Sequence, residues 1–304
     1  MEPKSMTALI SAFSRGYHAE KNTVKIFDDM LVNQLLSKEE KEQIACSMSQ
    51  GIKFFNPAFK GTNEEGLRWI VDNQLSPSPV GRAAYAETAL KLAVEMGARQ
   101  YLIIGAGYDS FSYRQPDWGK KLKIFEIDRP VMINDKRKRI KNVCEALPDN
   151  LNYVEIDLVK DSLANKMLAC HDFDCTRISF CSLLGISYYL TKADFKNIIQ
   201  RLAEIVPKGS SIVFDYPDEN TYTDKAGERT KKQVMMADGA NEVMLAGYSY
   251  NDIEYLLSDC GFLIYEHLTP DEITAQYFSK YNMENPDHLM TAFDNVNYCL
   301  AIRK

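Results

Sequence analysis

Gln100-Tyr-Leu-Ile-Ile-Gly-Ala-Gly-Tyr-Asp109 is the stretch that decides the fold. A short apolar run ends in Gly105-Ala-Gly107, and Asp109 follows two residues later. About twenty residues on, a second apolar run, Lys121-Leu-Lys-Ile-Phe125, ends in Glu126-Ile-Asp128. A buried strand, a glycine turn and an acidic residue closing the next strand form the arrangement by which an open α/β sheet holds a nucleoside: glycines let the backbone approach the ligand, and the carboxylate accepts hydrogen bonds from ribose hydroxyls. The dinucleotide fingerprint G-x-G-x-x-G is not met, because Ser110 stands where its third glycine would be. A pyrophosphate needs that glycine and a free helix N-terminus. Asp109 would repel an anion at this place and favours a ligand carrying positive charge.

Outward from this turn, strands and helices alternate. Candidate strands are Tyr101–Ile104, Leu122–Phe125, Tyr153–Ile156, Arg177–Cys181 and Ser211–Phe214, with helices such as Arg129–Cys144 and Lys192–Ile205 between them. Short apolar strands alternating with helices predict a parallel sheet covered on both faces. Phe262–His267 and Val296–Ile302 read as two further strands after a helix over Tyr250–Gly261. Before the first strand, residues 6–97 read as helical. Ile26–Leu36 carries apolar residues at three- and four-residue steps, Ser37 and Glu40 form a capping box, Ser76-Pro-Ser-Pro79 marks a break, and Arg82–Met96 is an amphipathic helix closed by Gly97. Residues 1–97 are therefore expected to form an N-terminal helical cap leading into a core over 98–304. The polar, glycine-bearing stretch 216–248 is expected to act as a lid, with a helical piece from about Arg229 to Met236.

At 304 residues, with 45% hydrophobic and 26% charged side chains, the composition is that of a globular protein. The formal net charge of -6 argues against nucleic acid as the main partner. The basic run Lys136-Arg-Lys-Arg-Ile-Lys141 is expected to be a solvated helix face. No run of 18 apolar residues predicts a membrane span, and the first residues carry no signal-peptide core. The seven cysteines include no C-x-x-C pair, and Cys170, Cys175 and Cys181 with His171 fit no zinc spacing, so no metal is expected. Reduced cysteines point to the cytoplasm.

A nucleoside whose ribose meets Asp128 and whose other end is cationic near Asp109 corresponds to S-adenosylmethionine (SAM), which carries a sulfonium. With these residues in hand, the chain resembles the class I SAM-dependent methyltransferases of the leucine carboxyl methyltransferase type, whose small-molecule branch includes polyketide carboxyl O-methyltransferases. The resemblance is carried by Ile26-Phe-Asp-Asp-Met-Leu31, Gly81-Arg-Ala-Ala-Tyr-Ala86, Gly97–Asp109 with Tyr113-Arg114, Phe125-Glu-Ile-Asp-Arg-Pro130 with Lys136-Arg137, and Val154-Glu-Ile-Asp-Leu158. It runs from about residue 11 to the C-terminus.

The resemblance implies a doubly wound, seven-stranded, mostly parallel sheet with its last strand antiparallel. It implies that Arg82 grips the SAM carboxylate through its planar fork, that Gly105 and Gly107 lie under the methionine part, and that Asp128 binds the ribose. Glu126 stands as the alternative ribose ligand or as a buried salt-bridge partner. Asp157 and Leu158 would bracket the adenine, with helix capping as the other reading of Asp157. Arg15 and His18 fall where the family's N-terminal segment closes over the site. Tyr108, Tyr113, Tyr188, Tyr189 and Tyr216 follow strand ends and are candidates to wall the acceptor pocket. One departure stands out: Leu184 occupies the place of the family's usual glutamate, so either Ser182 or Ser187 substitutes or the pocket is more apolar.

The implied reaction is SAM-dependent O-methylation of a carboxylate on a small, possibly polyketide-like, organic acid. A carboxylate with pKa about 4 needs no general base, which agrees with the absence of a recognisable catalytic dyad, so no catalytic residue is assigned. A phenol would need one, with His18 first in line. A nicotinamide-dependent oxidoreductase would share the sheet, but Ser110 and Asp109 count against it. A SAM-binding protein without catalysis would show the same cofactor residues.

Overall fold

The computed structural model describes residues 5–304. Seven strands form one sheet: β1 Gln100–Ile104, β2 Lys123–Asp128, β3 Leu151–Glu155, β4 Ser179–Leu183, β5 Ser211–Pro217, β6 Phe262–Leu268 and β7 Val296–Arg303. Their order is β3-β2-β1-β4-β5-β7-β6. The first five run parallel, and β7 inserts antiparallel between β5 and β6. The order reverses between β1 and β4, and ligands of open sheets bind outside the strand C-termini at such a switch point.

The two-residue period of the strands divides the core. Leu102, Ile104, Phe125, Ile127, Leu183 and Phe214 pack on one face against Phe195, Ile198 and Leu202 of a helix over Lys192–Ile205. Tyr101, Ile103, Ile124, Phe180 and Val213 pack on the other face against Tyr85, Ala89 and Leu90. A third cluster, with Leu9, Phe13, Ile44, Ile70, Leu75 and Met132, packs the N-terminal helices together and against the helix that follows β2. These helices are α1 Met6–Lys21, α2 Lys38–Gln50, α3 Asn63–Ile70 and α4 Pro77–Glu95.

Several local expectations change. The apolar run Ile26–Leu36 is helical only over Val32–Leu35. The Asp29 carboxylate accepts the Val32 amide at 3.3 Å and binds Arg15 and Ser110, which pins the residues before it in a loop. The Ser37–Glu40 capping box forms as read from the sequence. Ser76-Pro-Ser-Pro79 opens a helix instead of breaking one: a wide π turn over Val71–Leu75 runs straight into α4, with Pro77 in its first turn, where a proline costs no hydrogen bond. Gly97, at φ 111°, follows the end of α4. The basic run lies largely in α5, Pro130–Ile140, and is not wholly solvated. Lys136 is fully buried beside Glu126, and Arg139 binds Asp135 and Glu40.

After β5 the chain enters α6, Glu228–Gly239, and returns along the cavity described below, where the Leu245 amide donates to the Tyr188 carbonyl at 2.7 Å. No described helix is long and apolar enough to cross a membrane.

Candidate active site

A cavity of about 830 Å³ opens over the C-terminal ends of β1, β2 and β4, roofed by α1, α4 and the end of α6 with the residues after it. Its volume lies within the roughly 300–1,000 Å³ of small-molecule pockets.

The strand-end half is built from backbone. Gly105 and Gly107 adopt φ 69° and 45°, a region open to glycine and costly for other residues. The Gly105 and Ala106 amides donate to the Ile127 carbonyl at 2.8 and 3.2 Å, tying the turn to β2. A Cβ on Gly105 would lie 2.5 Å from Ile186 Cγ2, so a side chain there would press on the cavity wall. Asp128 clamps this turn, its carboxylate accepting the Gly107 and Arg129 amides, both at 2.7 Å. Burial raises the Asp128 pKa above the usual carboxylate value, against the pull of those two amides. Each oxygen has a second lone pair, which suits it to a ribose hydroxyl.

Glu126, two residues deeper in β2, is fully buried at 2.8 Å from Lys136 Nζ and does not line the cavity. Of its two readings, the structure shows the ion pair. Asp157 accepts the Val159 amide at 3.1 Å and pairs with Lys160 Nζ at 2.9 Å, and the Lys160 contact leads in holding its pKa low. Asp157, Leu158 and Asp109 all line the cavity.

Arg82 reaches the cavity from α4. Its Nη1 lies 3.2 Å from Asp215 Oδ2, and its Nη2 donates to Ser11 Oγ at 3.3 Å. Asp215, fully buried at the end of β5, also accepts the Gly185 amide at 2.6 Å and the Tyr188 hydroxyl at 3.0 Å. Sequence reading missed Asp215. Its signal was the one already used for Asp128: an acidic residue closing an apolar strand. A Cβ on Gly185 would fall 2.3 Å from Arg82 Nη1, so this glycine makes room for the guanidinium.

In the roof, Arg15 donates to Asp29 Oδ2 at 2.9 Å and to the Tyr108 carbonyl at 2.7 Å. Burial opposes the charge on Asp29, but Arg15, Arg114 and the Ser110 hydroxyl leave its pKa below the usual value. Tyr188, Tyr189 and Leu184 line the cavity, with Met236 and Met244 from the stretch expected to be a lid. Glu242 fastens that stretch to the start of α1, accepting the Ser5 hydroxyl at 2.9 Å, the Met6 amide at 2.7 Å, the Thr7 amide at 3.2 Å and the Thr7 hydroxyl. Asp29 falls in the segment Ile26–Leu31 that carries the family resemblance, though with no role read for it, and Glu242 carried no periodic or motif signal.

Three residues expected at the pocket lie elsewhere. His18 is buried beneath α1, where Nε2 accepts the Ile26 amide at 2.9 Å; burial pushes its pKa down to about 4. The Tyr216 hydroxyl meets His267 Nε2 at 2.8 Å, away from the cavity, and Tyr113 turns to Tyr153 and Glu126. Tyr108 lines the cavity, but its hydroxyl donates outward to Asp135. The two serines near Leu184 are engaged: the Ser182 hydroxyl with Tyr101, the Ser187 hydroxyl with the Asp215 carbonyl.

Residues 8–203 match the sequence family described as leucine carboxyl methyltransferase. The chain is 39% identical over 305 residues to YktD of Bacillus subtilis (strain 168), a provisionally assigned S-adenosyl-L-methionine-dependent methyltransferase, covering 99% of this chain and 98% of that one. A provisionally assigned SAM-dependent methyltransferase of Mycobacterium marinum (strain ATCC BAA-535 / M) is 25% identical over 234 residues, 73% of each chain. Among solved structures, a DUF574 family protein from Streptomyces avermitilis superposes with TM-score 0.62 at 14% identity, over 99% of this chain and 98% of that one. At that identity the likeness speaks for the fold: a seven-stranded sheet with N-terminal helices.

Proposed function

The chain belongs to the leucine carboxyl methyltransferase family of SAM-dependent methyltransferases, and from that premise we propose that it methylates an oxygen, the carboxylate of a small organic acid. The observation that carries this reading is the single cavity that joins two unlike halves. One half presents the Gly105–Gly107 turn, Asp128 and Asp157; the other presents Leu184, Tyr189, Met236 and Met244. The first fits the cofactor, because close backbone and acidic groups suit a nucleoside with a cationic centre. The second fits an apolar acid.

SAM supplies a methyl group already activated on sulfonium. The protein's share is position and exclusion of water. Asp128 would hold the ribose, Asp157 and Leu158 the adenine, and Arg82 the amino-acid carboxylate by its planar fork. Ser11 and Asp215 keep that guanidinium aimed into the cavity. No histidine is among the described residues lining the cavity. A carboxylate nucleophile is ionised at neutral pH without help, whereas an alcohol or phenol would need a base. Leu184, in place of a glutamate, spares an anionic acceptor a like charge. The seven free cysteines accord with a reducing cytoplasm.

The test is transfer from methyl-labelled SAM to a panel of carboxylic acids and phenols, followed by mild alkali. Methyl esters release the label, and aryl ethers and N-methyl groups keep it. Label that survives alkali rejects the carboxylate and leaves methyl transfer standing. Tight SAM binding with no transfer to any acceptor would favour a binding protein.

A further inference from the structure

Gln74 and Ser78 have no part in the site as described so far. Gln74 lies in the π turn Val71–Leu75, and Ser78 lies in the first turn of α4. Both line the cavity, yet they are only 8% and 7% exposed. Gln74 Oε1 and Ser78 Oγ have no hydrogen-bond partner among the described residues. Buried polar groups are seldom left so, and each such group calls for a partner, whether a water, an ion or a ligand. The four-residue spacing sets Gln74, Ser78 and Arg82 along one helical face. At the α-helical rise, Ser78 stands about 6 Å along the axis from Arg82, with Gln74 about one turn beyond it. The row leads away from the Arg82–Asp215 pair toward Leu75, which lines the cavity and belongs to the cluster on which Met236 of the apolar half packs.

We propose that Gln74 and Ser78 recognise the methyl acceptor, as a neutral pair that takes a hydroxyl or amide on its body while its carboxylate reacts elsewhere in the cavity. A carboxamide and a hydroxyl each donate and accept, so they are complementary to the same groups on a ligand. Neither offers a charge to offset a second buried carboxylate. The acceptor class is thus an apolar monoacid bearing a hydroxyl or amide. The role of the carboxylate rests on the methyl-transfer reading; the polar contact does not.

The experiment compares matched acids on protein saturated with S-adenosylhomocysteine: 4-hydroxyphenylacetate with phenylacetate, 3-hydroxydecanoate with decanoate, and N-acetylleucine with 4-methylpentanoate. Calorimetry should show at least one polar member binding about tenfold or more tighter than its partner, as expected of a site built to hydrogen-bond. Ser78→Ala and Gln74→Leu should each reduce that preference, leave S-adenosylhomocysteine affinity unchanged, and not lower the melting temperature of ligand-free protein. A structural role would lower it. The proposal is overturned by a preference kept in both variants, by loss of S-adenosylhomocysteine affinity, or by no preference in the wild type. Methyl-ester formation is read separately. Preferential binding without any ester sinks the carboxyl reaction alone, and ester without preference sinks this proposal alone.

Discussion

The strand-end half of the cavity and its roof are built by different means. The strand-end half joins neighbouring strands: the Gly107 amide meets Asp128, and the Ile127 carbonyl meets Gly105 and Ala106. Its chemistry sits within a few residues of where β1 and β2 stop, as an open sheet requires. The roof joins distant parts of the chain. Glu242 holds Ser5, Met6 and Thr7, and Arg15 on α1 meets Asp29 and the Tyr108 carbonyl. On the proposed reading, a cofactor shared throughout the family would be met by the local half, and whatever varies between relatives would have the assembled half to vary in.

Breaking the Arg82–Asp215 pair should cost most. Arg82→Ala leaves Asp215 buried without its cation, so unfolding free energy should fall by about 3–5 kcal/mol, read as a lower denaturation midpoint. Arg82→Lys should keep most of that stability yet bind SAM more weakly, since an ammonium cannot pair bidentately. If both variants match wild type, Arg82 is peripheral.

His18 tests whether the roof's scaffold is separate from the chemistry. Its folded pKa is about 4, below the roughly 6.5 of an unfolded histidine. The unfolded chain binds the extra proton first, so stability is full above about pH 6.5 and falls by on the order of 3 kcal/mol as pH drops toward 4. His18→Gln should flatten this part of the stability profile. A histidine acting as base would instead print its pKa on the rate of transfer.

Asp128→Ala probes the strand-end half directly. Losing a charged acceptor should weaken SAM binding by roughly 1.5–3 kcal/mol, about tenfold or more, and unchanged affinity by calorimetry would reject the ribose role. The smallest effect is expected in the roof. Glu242→Ala should release residues 240–245 from α1, speeding their hydrogen exchange and SAM dissociation a few-fold, for a loss of about 1 kcal/mol. Equal exchange in variant and wild type would show that Glu242 does not hold the roof.

The same contrast explains what the sequence disclosed. All seven strands could be placed to within a few residues because each is short and bounded by turns, and because the inner strands are buried apolar runs, although the edge strands β3 and β6 are only partly buried. Gly105, Gly107 and Asp128 were readable because the glycine turn and the acidic strand end form a local pattern. Asp215 followed the same rule, down to the amide of the glycine after the preceding strand, Gly185, and was passed over because a lone glycine there makes no Gly-x-Gly pattern. The roof left no local pattern, only the resemblance over Ile26–Leu31 and the placing of Arg15. Asp29 sits within an apolar periodicity that reads as helix, and the run stays a loop there only because Arg15, Ser110 and Arg114 gather around that carboxylate. His18 and Tyr216 stood at plausible positions, but the direction of a side chain depends on tertiary packing: His18 faces the Ile26 backbone and Tyr216 faces His267.

The decisive measurement is a crystal structure with S-adenosylhomocysteine. Its ribose hydroxyls should fall on Asp128, its adenine beside Asp157 and Leu158, and its carboxylate on Arg82, with the sulfur facing the half lined by Leu184, Tyr189 and Met244. A nucleoside bound outside this cavity, or within it with Asp128 untouched, would contradict it.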